Sequence, residues 1–174
     1  MANIIPEGIR LFDVYIDGSA EPGIAEGEFP SIEYETNEIK GAGIAGTIEA
    51  VVPGLFGSIT FTLKWRYPPK NFFELAKPTT HDIDLYADMI AYDGGTGQTV
   101  TKQLHAYIKA QTKHYNIGSM TTGESMDGET EHEVIYMKID FDGKTQIELD
   151  KLNYKYVILS TDYLQASRKA LGRS

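Results

Sequence analysis

Apolar and polar residues alternate with period two along most of the chain, the mark of strands with one buried face. The clearest case sets Ile59, Phe61, Leu63 and Trp65 between Thr60, Thr62, Lys64 and Arg66. Asp82 to Tyr92 puts Ile83, Leu85, Ala87, Met89 and Ala91 on one face and Asp82, Asp84, Tyr86 and Asp88 on the other. Arg10 to Ile16 alternates and stops at Asp17-Gly18, and Asp142-Gly143 divides Glu133 to Phe141 from Lys144 to Asp150. Asp-Gly between alternating runs signals a hairpin, because both residues tolerate positive φ. Further strands are predicted at Phe29 to Thr36, kinked at Pro30, at Gln98 to Tyr115 and at Tyr154 to Leu159. Two helices complete the pattern. Pro68-Pro69 preset one over Lys70 to Lys77, stopped by Pro78. Asp162 caps a C-terminal one with Gln165 as reciprocal partner, Arg168 and Lys169 suit its negative end, and Gly172 is its C′ residue. The pattern predicts a mainly β chain: a small antiparallel sandwich or barrel with a short flanking helix and a C-terminal helix.

Two stretches break the alternation, residues 40–57 and 116–129, and both are long for loops in a compact domain. The first is apolar and rich in glycine: Gly41, Ala42, Gly43, Ile44, Ala45, Gly46, Thr47, Ile48, then Leu55, Phe56 and Gly57 around Pro53-Gly54. It is too irregular for a core strand. Either it packs as a loop on its own domain or it is an arm that docks on a neighbouring copy, since an apolar loop in water needs a cover.

Charge and composition narrow the classes. The 174 residues predict one domain over 1–174, with 41–57 as a long loop within it. The net charge of −9 argues against a protein built to grip nucleic-acid phosphates. With no cysteine there is no disulfide framework, thiolate metal site or cysteine nucleophile, and the redox compartment stays open. Met1 to Gly8 lacks the basic and apolar regions of a secretory signal, and glycines, Glu49 and Pro53 keep the least charged region from being a membrane helix. The expectation is a soluble protein, made in the cytoplasm, with no membrane insertion.

The residues offer little chemistry. His81, His105, His114 and His132 have no zinc-helix spacing. Around His132 the alternation turns Glu131 and Glu133 to one face and His132 to the other, so the segment reads as a solvated acidic strand start. Asp82, Asp84 and Asp88 read as a solvated acidic face. Gly94-Gly95-Thr96-Gly97 lacks the Lys and the following helix of a phosphate loop and reads as a turn. No catalytic residue, cofactor or metal site is expected.

Several blocks together resemble a known family. They are Leu11-Phe12-Asp13-Val14-Tyr15-Ile16-Asp17-Gly18, Gly23-Ile24-Ala25, the acidic-aromatic segment from Pro30 to Ile39, and Gly41-Ala42-Gly43-Ile44-Ala45-Gly46. To these add Met137 to Lys144, Ile147 to Asn153 and Ala166 to Gly172. In this order and spacing the chain resembles the major tail tube protein of contractile-tailed bacteriophages, also used by R-type bacteriocins. Arg173 and Ser174 run past the family's usual end.

The resemblance implies a structural protein, not an enzyme. It implies a small β-barrel whose copies form homohexameric rings, stacked into a tube within a contractile sheath. Strands of six subunits would line one channel, and the loop at residues 41–57 would contact the adjacent ring through Gly41 to Ile48, Leu55 and Phe56. The implied partners are copies of the chain, the tail sheath protein, and baseplate and tail terminator proteins. DNA would pass without specific binding, and the site of action would be the virion tail or a phage-tail-like particle. Six copies carry about −54, a field that repels phosphates from a channel wall. Asp82, Asp84 and Asp88, and Glu33 and Glu35, are both candidates for the lumen, with the sheath as the other destination for one set. Two other readings stay open: a tube subunit of an injection device carrying protein effectors, and a carbohydrate- or metal-binding β-sandwich.

Overall fold

Asp17 (φ 48°) and Gly18 (φ 80°) lie at positive φ, as do Asp142 (φ 48°) and Gly143 (φ 72°), so both Asp-Gly pairs make the tight turns expected of them. The computed structural model describes residues 4–20 and 23–173, leaving aside the side chain of Ala25. Part of the expectations on Met1 to Gly8, on the Gly23-Ile24-Ala25 block and on the Arg173-Ser174 end therefore lies outside the described residues.

In chain order the strands are β1 (Ile4–Ile16), β2 (Ser19–Ala20), β3 (Ile24–Glu28), β4 (Tyr34–Ile39), β5 (Ile48–Phe56) and β6 (Thr60–Trp65). After helix α1 (Lys70–Leu75) come β7 (Thr80–Asp93), β8 (Gln98–Asn116), β9 (Gly128–Phe141), β10 (Lys144–Asp150), β11 (Lys155–Ile158) and β12 (Thr161–Asp162), then helix α2 (Gln165–Ala170). Ten strands form one antiparallel sheet with the main path β12-β11-β10-β9-β8-β7-β1-β2. It branches at β9, whose first half pairs with β6 and whose second half pairs with β10. The branch carries β6 and β3 over the face of β7 and β8, where Gly27 lies against Leu63 and Leu85. The result is a two-layer sandwich. As a barrel it stays open, since β2 and β12 end the path among the described residues.

Between the layers, Val14, Ile16, Phe61, Leu63, Trp65, Ile83, Leu85, Ile108, Val134 and Leu149 form one buried cluster. These are the inward positions of the period-two pattern. Helix α1 closes one end of it with Phe72 and Leu75, and Phe72 meets the Trp65 ring edge to face at 5.7 Å.

Some elements differ from expectation. Of the predicted strand at Phe29 to Thr36, only Tyr34 to Thr36 is strand, the start of β4, and Phe29 to Glu33 is the connection from β3. Pro30 has no N–H for a ladder, which explains the interruption. Strand β1 begins at Ile4, earlier than its alternation suggests, because two bulges absorb the breaks, between Pro6 and Gly8 and between Ile9 and Leu11. Asp162 does not bond Gln165. It accepts from the Leu164 amide (3.0 Å) and binds the Arg168 guanidinium. Gly172 holds positive φ as C′, with the Arg173 amide on the Arg168 carbonyl.

His132 is a correction of the solvated reading. It is completely buried, hydrogen-bonded to Thr112 (2.9 Å) and Thr130 (3.0 Å). The alternation was right in sending it away from Glu131 and Glu133, but that side is the core. Burial, aided by the charge of His81, pushes its pKa down to about 4. The folded chain thus resists a proton that the unfolded chain accepts. Stability is full near neutral pH and falls as pH drops from 6.5 towards about 4. The loss amounts to about 3 kcal/mol at most. Unfolding free energies from urea titrations near neutral pH and near pH 4 should differ by that amount more in the native chain than in His132→Gln; equal differences would remove His132 as the cause.

Candidate functional site

Three surfaces stand out: a hairpin arm, the outer face of the large sheet, and the edge of β1. The arm comes from the segment expected to be an irregular loop. Residues 41–47 are loop, but Ile48–Phe56 is strand, paired with Tyr34–Ile39 in a separate two-stranded sheet. Ile39 faces Ile48 and Asn37 faces Ala50, while Tyr34 reaches Phe56 past a register shift that takes up Pro53 and Gly54. Those two residues, with the glycines of the tip, hide the strand from a periodicity reading. Gly43 (φ 90°) and Gly46 (φ 120°) hold backbone that side chains rarely adopt, so the tip depends on glycine.

The root of the arm packs on its own chain. Tyr34 and Tyr156 share a hydrogen bond of 2.5 Å between their hydroxyls, and Phe56 lies edge to face on Tyr156 at 4.8 Å. Burial and the Tyr34 bond hold the Tyr156 phenol well above its usual range, so it stays neutral. Phe56, expected at an inter-ring contact, is therefore partly used within the chain. Further out, Ile39 (44%), Ile48 (53%) and Leu55 (55%) are exposed, as are Gly41, Ala42, Gly43, Ala45, Gly46 and Thr47. Ile44 is half-buried, with its amide bonded to the Gly41 carbonyl (3.2 Å).

Asp82, Asp84 and Asp88 do share one face of β7, on the side away from the core. The acidic face expected there is partly solvated, and neighbouring strands also supply it with partners. Asp82 pairs with Lys109 (3.4 Å), Asp84 with His105 (2.7 Å) and Asp88 with Arg10 (2.5 Å). Tyr86 stacks on His105 at 4.2 Å. The other oxygen of Asp88 is buried without a donor among the described residues, a demand for water or another chain to meet. Glu33 and Glu35 are exposed at the arm.

The edge of β1 is a surface that the alternation did not single out. Its pairing partner is β7 over nearly its whole length, and β2 touches only Tyr15 and Ile16 on the other edge. Ile4, Ile5, Ile9, Leu11 and Phe12 are all exposed, Leu11 most of all at 67%. An apolar hollow of about 350 Å³ runs beneath, between Ile9 and Phe12 of β1 and Gly27 and Phe29. The signal available in the sequence was a set of large apolar residues around Pro6 and Gly8 that fits no single period.

Comparison with known proteins gives the family. The tail tube protein of Escherichia phage P2 is 23% identical over 173 residues, 97% of this chain and 98% of that protein. Among solved structures, the sheath/tube terminator of an extracellular contractile injection system, PVC, has a similar fold. Its TM-score is 0.53 at 15% identity, covering 74% of this chain and 92% of that one. The family model for phage tail tube protein FII matches residues 6–172, and the chain belongs to that family of structural tail proteins.

Proposed function

We propose that the chain is the repeating subunit of the inner tube of a contractile tail, closing into six-membered rings that stack around a channel. The observation that carries this is the β1 edge: a strand with one edge largely open and a row of exposed apolar side chains is a liability in a monomer and a joint in an assembly. Closure of the sheet across subunits removes the edge and covers the hollow beneath it. The outer face of β7 to β9 then becomes the channel wall, polar and mixed in charge but net acidic with the chain. The sheath protein surrounds the tube, with baseplate and terminator proteins at its ends. The product acts in a virion tail or phage-tail-like particle after assembly in the bacterial cytoplasm. DNA or a puncturing device is the passenger. A protein effector remains the second reading, because a fold shared with an injection-system component supports it.

Electron microscopy of concentrated chain tests the ring. Stacked rings with a central hole are expected, and Ile9→Lys with Leu11→Lys should leave folded monomers. Tubes that persist in that variant would defeat the edge as the joint.

The lumen assignment has its own test. Asp82→Asn, Asp84→Asn and Asp88→Asn together remove charge without changing shape. Each lost pair is partly exposed and worth about 0–1 kcal/mol, so folding and tube formation should survive. Particles built from the variant should eject DNA more slowly, measured by dye-detected release. Unchanged release would take these residues out of the channel wall.

A further inference from the structure

The four histidines divide sharply by environment. His81 bonds Asp17, His105 bonds Asp84, and His132 bonds two threonines. His114, on an exposed stretch of β8, has no such partner among the described residues. A bulge decides where it points. The register of β8 against β9 shifts between Thr112 and His114, so Lys113 is the extra residue and turns to Thr60. Thr112 faces the core, on His132 and the Leu75 carbonyl. Regular alternation would turn His114 inward as well. With the bulge it stands directly opposite Glu131 on the outer side, and Glu129 lies two residues along the same face of β9.

One ligand atom from each of His114, Glu129 and Glu131 lies within 4.8 Å of the others. Neither carboxylate makes a side-chain hydrogen bond or salt bridge among the described residues. The cation placed to serve them, Lys64 opposite Glu129, is held instead by Glu26 (3.2 Å) and Glu28 (3.8 Å). Two facing carboxylates and an imidazole thus converge with no protein cation between them. Lys64 acts on Glu129 only as a nearby charge, and no cation among the described residues bonds either carboxylate.

We propose that His114, Glu129 and Glu131 form a surface site for a divalent transition ion of the zinc class. One nitrogen and two oxygens are a borderline donor set, suited to Zn²⁺ and poor for Ca²⁺, which wants six or more oxygens. Three protein ligands leave a coordination position for water or for a side chain of another copy. The ion ties β8 to β9 beyond their shared hydrogen bonds and stabilises the folded chain by mass action. This site is independent of the ring and channel assignments above.

The test is calorimetric titration of metal-stripped full-length chain with Zn²⁺ alone. One ion per chain in the micromolar range is expected. His114→Ala and Glu131→Gln should each weaken it by more than about tenfold, while His105→Ala leaves it unchanged. Both ligand positions are at the surface, so circular dichroism should show the same folded spectrum for all variants. In the native chain, imidazole ¹⁵N spectra should move for His114 and stay put for His81 and His132. Native affinity in His114→Ala, loss of binding in His105→Ala, or no movement of the His114 ring at millimolar Zn²⁺ would overturn the proposal.

Discussion

Replacing residues 38–49 with an Asn-Gly turn is expected to leave a folded subunit whose rings no longer stack. The arm can be cut there because its two strands share no ladder with the ten-stranded sheet. The cut keeps Asn37 opposite Ala50, Thr36 beside Val51 and Tyr34 against Phe56, so the root stays on Tyr156. Asn-Gly supplies the positive φ that a two-residue hairpin turn needs. What is lost is the glycine loop and the exposed pair Ile39 and Ile48. Surface changes of this kind move stability by roughly 0.5 kcal/mol, so the melting curve should barely shift. Under the electron microscope, isolated rings should replace tubes. Ile48→Lys alone should shorten tubes without abolishing them. Tubes of ordinary length from the shortened chain would end the docking role of the arm. A deletion reaching Gly57 would confuse the result, because it also removes Phe56 from the core side.

Trp65→Ala should be the most damaging single truncation in the body. Trp65 is 1% exposed at the end of β6, its ring meets Phe72, and its Nε1–H donates to Thr130 Oγ1 at 3.1 Å. Removing it leaves a cavity between β6 and α1 and takes a donor from a buried hydroxyl. Truncations of this size cost about 3–5 kcal/mol, against a total of about 5–15 for an ordinary domain. Denaturant unfolding should show the drop, and Trp65→Phe should recover much of it by filling the space. A loss below about 1 kcal/mol would mean that the core repacks around the gap. Helix α1 would loosen first, since Phe72 and Leu75 are its buried anchors.

The parts legible in the sequence are those governed by neighbours in the chain. Strand β6, the long strands β7 and β8 and the β9–β10 hairpin follow from alternation and two Asp-Gly turns. What stayed hidden depends on residues far apart. The partners of Asp84 and Asp88 lie 21 and 78 positions away, so no local reading turns an acidic row into a paired one. His132 gave the right parity and the wrong environment, because parity says which residues share a face but not which face is wet. Strand β5 was masked by Pro53 and Gly54, which a register shift accommodates. The bulge that turns His114 outward needed a three-dimensional register to be seen.

The branching of β9 has a mechanical side. It changes partner on one edge between Glu133, opposite Thr60, and Tyr136, opposite Asp150. At that seam its pairing with β8 skips Ile135, while the Ile135 carbonyl takes the Lys151 amide and Val134 bonds Ile59. Both layers are thus riveted to one continuous strand at its corner. A pull along β9 loads the β8 ladder in shear over most of its length. The β6 and β10 ladders lie end to end on its other edge. The β8 ladder is interrupted twice, where Ile135 and Lys113 go unpaired, and a strand bends more readily at such breaks than along its paired stretches.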